Sequence, residues 1–189
     1  MANALGSRRE EHLAGTHVAL IRGINVGHAK RVAMADLRAI VSELGYGNPR
    51  TLLNSGNVLF DAPEKDDCAA KIEAALLARL GVSARVLTLT AAELAEAVAS
   101  NPLVERSDDP TRLLVAALRR PFDRKALTAL AKERWEPEAF ALGRHVAYLW
   151  CAQGILHSRL LPAFGRLLSD GTTTRNWATI LKLHAMLGA

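Results

Sequence analysis

Two rhythms of apolar residues alternate along the chain. From His17 to Arg22 four apolar residues run together, as in a short strand buried on both sides. Met34, Leu37, Ile40, Val41 and Leu44 then recur at helical spacing, and Gly45 ends that run. "RTLLNSGNVLFD" reads as two strands around a tight turn centred on Ser55-Gly56. Ala69, Ile72, Leu76, Leu77 and Leu80 mark a second helix closed by Gly81, and "ARVLTLT" is a fourth strand. The order β-α-β-β-α-β is the split βαβ, or ferredoxin-like, arrangement. A bridging helix follows, with Thr90 as N-cap and Glu93 completing a capping box, and Asn101-Pro102 ends it.

The second half repeats the order. "TRLLVAAL" is a strand, Asp123 opens a helix through Ala126, Leu127 and Leu130, and "AFALGRHVAYLW" is a hairpin turning at Gly143-Arg144. Helices are predicted from His157 to Leu168 and from about Thr174 to Leu187, with no closing strand apparent between them. "LLNSGNVLF" and "FALGRHVAYL" share one apolar-turn-apolar rhythm, which points to an internal duplication. The expected fold class is α/β (α+β), with two ferredoxin-like units packed as one compact protein. Residues 1–15 read as a flexible tail, 16–101 as the first unit with its bridging helix, and 102–189 as the second unit with a C-terminal helix.

Composition narrows the classes of function. The 189 residues carry a net charge of +5, unevenly spread. Residues 1–110 hold 12 Lys and Arg against 14 Asp and Glu; residues 111–189 hold 12 against 5. A basic half favours anionic partners, although a solvated basic surface has the same composition. No apolar run approaches the roughly 20 residues of a membrane span, and the first fifteen residues lack the apolar stretch of a secretion signal. Cys68 and Cys151 sit in apolar-periodic segments, which fits small core residues in a reducing, cytoplasmic setting. The six histidines form no H-x-H or H-E-x-x-H pattern, so no metal or other cofactor is expected.

Three stretches concentrate donors and cations. The first runs from Arg22 through Gly23, Asn25, Gly27, Lys30 and Arg31 into a helix start, where unpaired N–H groups suit a phosphate or carboxylate. It is neither a Walker A loop nor a GxGxxG fingerprint, and a glycine-bent β-α connection needs the same residues. The second places Asn54, Ser55 and Asn57 around Gly56, as a tight turn or as neutral donors. In the third, Thr172 to Thr174 offer an N-cap and Arg175 and Asn176 stand at the first helical turn, where a cation opposes the helix dipole. Trp177 falls on the apolar stripe with Ile180 and reads as core rather than as a base-stacking platform. Three uses follow: binding of an anionic, phosphate-bearing small ligand; a nucleic-acid-binding module that stacks bases on an open sheet; or an enzyme using the same pocket. Aromatics are only 5% of residues, which places the nucleic-acid reading second.

Taken together, "LIRGINVG", "LLNSGNVLF" and "TTTRNWATILKL" resemble the signature of the bacterial family known as domain of unknown function sixteen ninety-seven. The resemblance spans nearly all of the chain after Gly15. It implies two ferredoxin-like units and carries no established activity. His28 stands where the family often has glycine, Asn54 where glutamine is commoner, and Ser158-Arg159-Leu160 where Ser-Lys-Leu is usual. Ser158 and Arg159 join the candidate site on that ground, Arg159 as a forked donor in place of an ammonium.

Overall fold

The apolar runs that lack alternation are strands covered on both faces. In the computed structural model, which describes residues 14–25, 31–119, 121–168 and 171–188, the first half contains β1 (Ala14–Arg22), α1 (Met34–Glu43), β2 (Gly47–Leu52), β3 (Asn57–Pro63), α2 (Cys68–Leu80) and β4 (Arg85–Thr90). α3 (Ala91–Ala99) leads on to β5 (Leu113–Leu118), α4 (Arg124–Leu130), β6 (Ala139–Leu142), β7 (Val146–Trp150), α5 (Leu160–Leu168), β8 (Thr172–Asn176) and α6 (Trp177–Ala185). The strands form two antiparallel sheets of four, ordered β2-β3-β1-β4 and β6-β7-β5-β8. Both halves therefore place their strands in the same spatial order.

Six of the strands, β1 and β3 to β7, divide their apolar residues between two cores. Ala19, Ile21, Val58 and Phe60 meet Leu37, Ile40 and Val41 of α1 and Ile72 and Leu76 of α2. Leu114, Ala116, Ala147 and Leu149 meet Leu127 and Leu130 of α4 and Leu160 and Phe164 of α5. The intervening residues of both sheets, among them Val18, Leu20, Leu89, Val115, Val146 and Tyr148, share a central core with Leu94 of α3 and Trp177, Ile180 and Leu183 of α6. Each Val, Leu, Ile or Phe among them stabilises the fold by about 1.5–3 kcal/mol when fully buried. With a core on either face, neither sheet leaves a face open for stacked bases among the described residues. That closes the sheet-stacking route considered for nucleic acid.

Local capping follows the sequence closely. Thr90 and Glu93 form the expected capping box, Asp123 caps α4, and Gly81 closes α2 in the left-handed conformation (φ 62°). The end of the chain differs from expectation. Thr172–Asn176 is the missing closing strand, so α6 begins at Trp177 rather than near Thr174, and its N-cap is Asn176 rather than one of the threonines. Three consecutive β-branched residues favour a strand, yet their polarity hides the apolar rhythm by which strands are recognised. Arg175 consequently precedes the helix as a strand residue, and the supposed conflict with the helix dipole does not arise. Similarly, α5 begins at Leu160, and Ile155–His157 is a separate 3₁₀ turn. β1 already includes Ala14 and Gly15, while the rest of the expected tail, residues 1–13, lies outside the described residues.

Candidate functional site

The chain leaves β1 through a sequence of forced conformations. Gly23 (φ 84°) and Asn25 (φ 56°) both adopt left-handed backbone, which glycine and asparagine tolerate best. Asn25 spends its amide on the loop itself: Nδ2 donates to the carbonyls of Val32 (2.9 Å) and Asn54 (2.8 Å), and Oδ1 accepts from Val32 N–H (2.8 Å). In the β2–β3 turn, Gly56 (φ 74°) has room for no side chain, since a Cβ there would lie 2.8 Å from Ile24 Cδ1. Asn57 is fully buried, and its Nδ2 donates to Leu52 O (3.0 Å) and Ser55 Oγ (2.9 Å).

Arg175 joins these elements to β8. Its Nε donates to Asn57 Oδ1 (2.5 Å), and Nη2 donates to the carbonyls of Ile21 (2.8 Å), Ser55 (3.0 Å) and Gly56 (3.3 Å). Nη1 donates to Thr174 O (2.8 Å) and Thr173 Oγ1 (3.0 Å). The guanidinium thus ties the closing strand of the second half to three backbone carbonyls and one amide of the first. Burial pushes its pKa down to about 10, which leaves it cationic at neutral pH. Carbonyl and amide dipoles are the partners seen here. Arg175 therefore fastens the two halves together.

Beside this knot lies a cleft of about 730 Å³. Arg22, Gly23 and Ser55 line it from the first half; Thr174, Arg175 and Asn176 line it from the second. Arg22 is exposed and donates one N–H to Thr172 O (3.1 Å), bridging the halves at the surface. Leu114, Leu161 and Phe164 supply an apolar wall, extended by Ile155. Six of the fourteen expected site residues therefore meet around one hollow. Asn25, Asn54 and Asn57 build the loops beneath it, whereas Arg31, Ser158 and Arg159 are not among its lining residues. Gly27 and Lys30, like His28, lie outside the described residues.

The starts of α5 and α6 are capped by the protein. Glu138 Oε2 accepts from the N–H groups of Arg159 (2.9 Å) and Leu160 (3.2 Å), and Ser158 Oγ accepts from Leu161 (3.0 Å) at α5. Asn176 Oδ1 accepts from Thr179 (2.9 Å) at α6. Only α1 lacks a side-chain cap among these three, with Ala33 at its N-cap position. The sequence marks Thr173 only as an N-cap candidate, and Thr179 and the apolar wall went unnoticed in it, because hydroxyls and leucines carry no motif of their own.

A second cleft of about 300 Å³ lies along β4, lined by Val86, Thr88, Glu93, Leu118, Arg119 and His145 among others. Val18 pairs with Leu89 and Val115 with Arg175, so register equates β1 with β5 and β4 with β8. Arg119 then occupies the position of Arg22, Leu118 that of Ile21, and Leu89 that of Arg175. Ile21 N–H donates to Gly56 O and Leu118 N–H to His145 O, which matches the same correspondence. The two clefts are counterparts on the two halves. Among the described residues, no group of three or more His, Cys, Asp or Glu side chains is arranged to hold a metal ion, and no helix is long and apolar enough to cross a membrane.

Comparison with known proteins agrees with this architecture. Residues 15–148 match the model of a family described as "Protein of unknown function (DUF1697)". No curated protein matches the sequence. Among solved structures, the chain is similar to the conserved bacterial protein SP0830 from Streptococcus pneumoniae. The match has a TM-score of 0.73 and 22% identity, and covers 93% of this chain and 99% of that one. At that identity the likeness establishes the fold.

Proposed function

Because the chain belongs to the DUF1697 family, whose description names no activity, we propose from its own geometry that the larger cleft binds a small anionic molecule with an apolar body. The observation that carries this reading is the meeting of three distant stretches, around Arg22, Ser55 and Thr174–Asn176, on one hollow. Arg22 at the mouth supplies a forked cationic donor, the geometry that pairs with phosphate or carboxylate. The hydroxyls of Ser55 and Thr174 add neutral donors, while Leu161 and Phe164 receive the apolar part. Arg175 contributes its charge from the floor, since its N–H groups hold the protein's own acceptors. A cleft of about 730 Å³ falls in the range of about 300–1,000 Å³ usual for small-ligand sites.

A thermal-shift panel of nucleotides, sugar phosphates and inorganic phosphate tests the reading. A ligand at a hundred times its Kd is expected to stabilise the fold by about 2.7 kcal/mol. Arg22→Gln should abolish that shift and Arg119→Gln should leave it intact. The absence of any shift, or one unchanged in Arg22→Gln, overturns the proposal.

A further inference from the structure

The edges of β4 and β8 face their clefts differently. Strands β4 and β8 pair with β1 and β5 on one side only, so every second residue turns its N–H and C=O outward. On β8 both outward carbonyls nearest the cleft are occupied by guanidinium donors: Thr172 O by Arg22 and Thr174 O by Arg175. On β4 the occupied groups are donors instead. Val86 N–H donates to Glu73 Oε1 (2.8 Å), and Thr90 N–H donates to Glu93 Oε2 (2.9 Å). These two bonds fix the parity of the strand: residues 86, 88 and 90 turn outward. Between the capped N–H groups stands Thr88, whose N–H and C=O face the cleft with no partner among the described residues. Val86 is fully buried, so Thr88 N–H and Thr88 O form the one open donor–acceptor pair of this edge along the cleft wall among the described residues.

We propose that the smaller cleft is a recognition site for a short extended peptide, paired through the backbone of Thr88. One extended residue opposite Thr88 completes a two-bond antiparallel pair. The carboxylates of Glu73 and Glu93 occupy the neighbouring donor positions and end the pairing there. They limit the register to a single residue pair and protect the edge from open-ended strand addition. A volume of about 300 Å³ suits a segment of that length. Arg119 is paired with Glu73 (3.4 Å), and the Glu93 and Asp67 carboxylates accept the protein's own N–H groups, those of Thr90 and Ala70. A neutral amide backbone is therefore the fitting occupant, in contrast to the anion assigned to the counterpart cleft.

The test uses the full chain, labelled with ¹⁵N, and a blocked trialanine (acetyl and methylamide ends) as probe. The Thr88 amide resonance is expected to shift saturably and its hydrogen exchange to slow. N-methylation of the central alanine, which deletes one peptide donor, should weaken binding about tenfold or more. Thr88→Pro removes the outward donor while sparing the ladder to β1, and should weaken binding by a similar factor, read through the Leu87 and Leu89 amides. Thr88→Val keeps the backbone and should bind as the parent does. Arg22→Gln, which breaks the anion site, should not affect the peptide. No saturable shift at Thr88, or equal binding of the N-methylated probe, overturns the proposal, and both readings stand even if Thr88→Pro fails to fold.

Discussion

β4 and β8 close their sheets at the same register and each passes directly into a helix, yet they are built from opposite chemistries. β4 reads RVLTLT and β8 reads TTTRN. Their last residues act alike, for Thr90 caps α3 and Asn176 caps α6. On the central face, Leu87 and Leu89 pack into the core, whereas Thr173 and Arg175 at the matching positions form hydrogen bonds. Asn57, the buried partner of Arg175, matches Val146 on the other half by the same register. One junction between the halves is therefore oily and the other is polar. Repeating a fold repeats its backbone order but leaves each junction free to be stabilised by packing or by hydrogen bonds. The polar junction is the one that borders the larger cleft.

Replacing Arg175 by leucine, to make β8 resemble β4, tests this contrast most severely. It removes six donor contacts and leaves Asn57 Oδ1 and three carbonyls of the first half without that donor. Urea unfolding should show a loss of about 3 kcal/mol or more, since a buried acceptor left unpaired costs about 1–3 kcal/mol, and Arg175→Lys should recover only part of it. A stable Arg175→Leu protein would mean that the polar junction is dispensable. Leu89→Ala, at the matching place on the other side, should cost about 3 kcal/mol through lost burial and a residual cavity.

Smaller effects sharpen the likeness of the two helix starts. Thr90→Ala and Asn176→Ala should each lower stability by about 1 kcal/mol in the same assay. The two losses should be alike, because Thr90→Ala removes only the Oγ1 acceptor and keeps the Thr90 N–H that donates to Glu93. Last comes an acid effect at Asp66, in the first half. Lys71 Nζ (2.7 Å) and Tyr46 Oη (3.0 Å) donate to Asp66 and hold its carboxyl below the usual range, the lysine contributing more. With the folded pKa depressed, that stabilisation is complete above the unfolded carboxylate's pKa and disappears as pH falls through the folded value. Lys71→Met should flatten this acid limb of a stability-against-pH curve.

Much of the fold was legible because local signals agreed with tertiary need. The capping box at Thr90, the closure at Gly81 and the runs in β1, β5 and β7 are each written in a few consecutive residues. The site was legible in part. Arg22, Ser55 and Arg175 stood out as donors, but nothing in their local sequence indicated that Arg175 would bond to Asn57, 118 residues away. β8 escaped notice for the same reason that it matters. Its polar residues answer acceptors on another strand, and a sequence pattern registers only what a segment does for itself.

Hydrophobic periodicity and turn chemistry thus determined the elements and their repeated order, since both act between neighbours in the chain. Tertiary structure alone decided which carbonyls surround Arg175, which strand edge keeps an open register, and which hollow gathers the cations. Those outcomes depend on how two separately specified halves meet, and the desolvation and hydrogen bonding of that meeting act on atoms that the sequence keeps far apart.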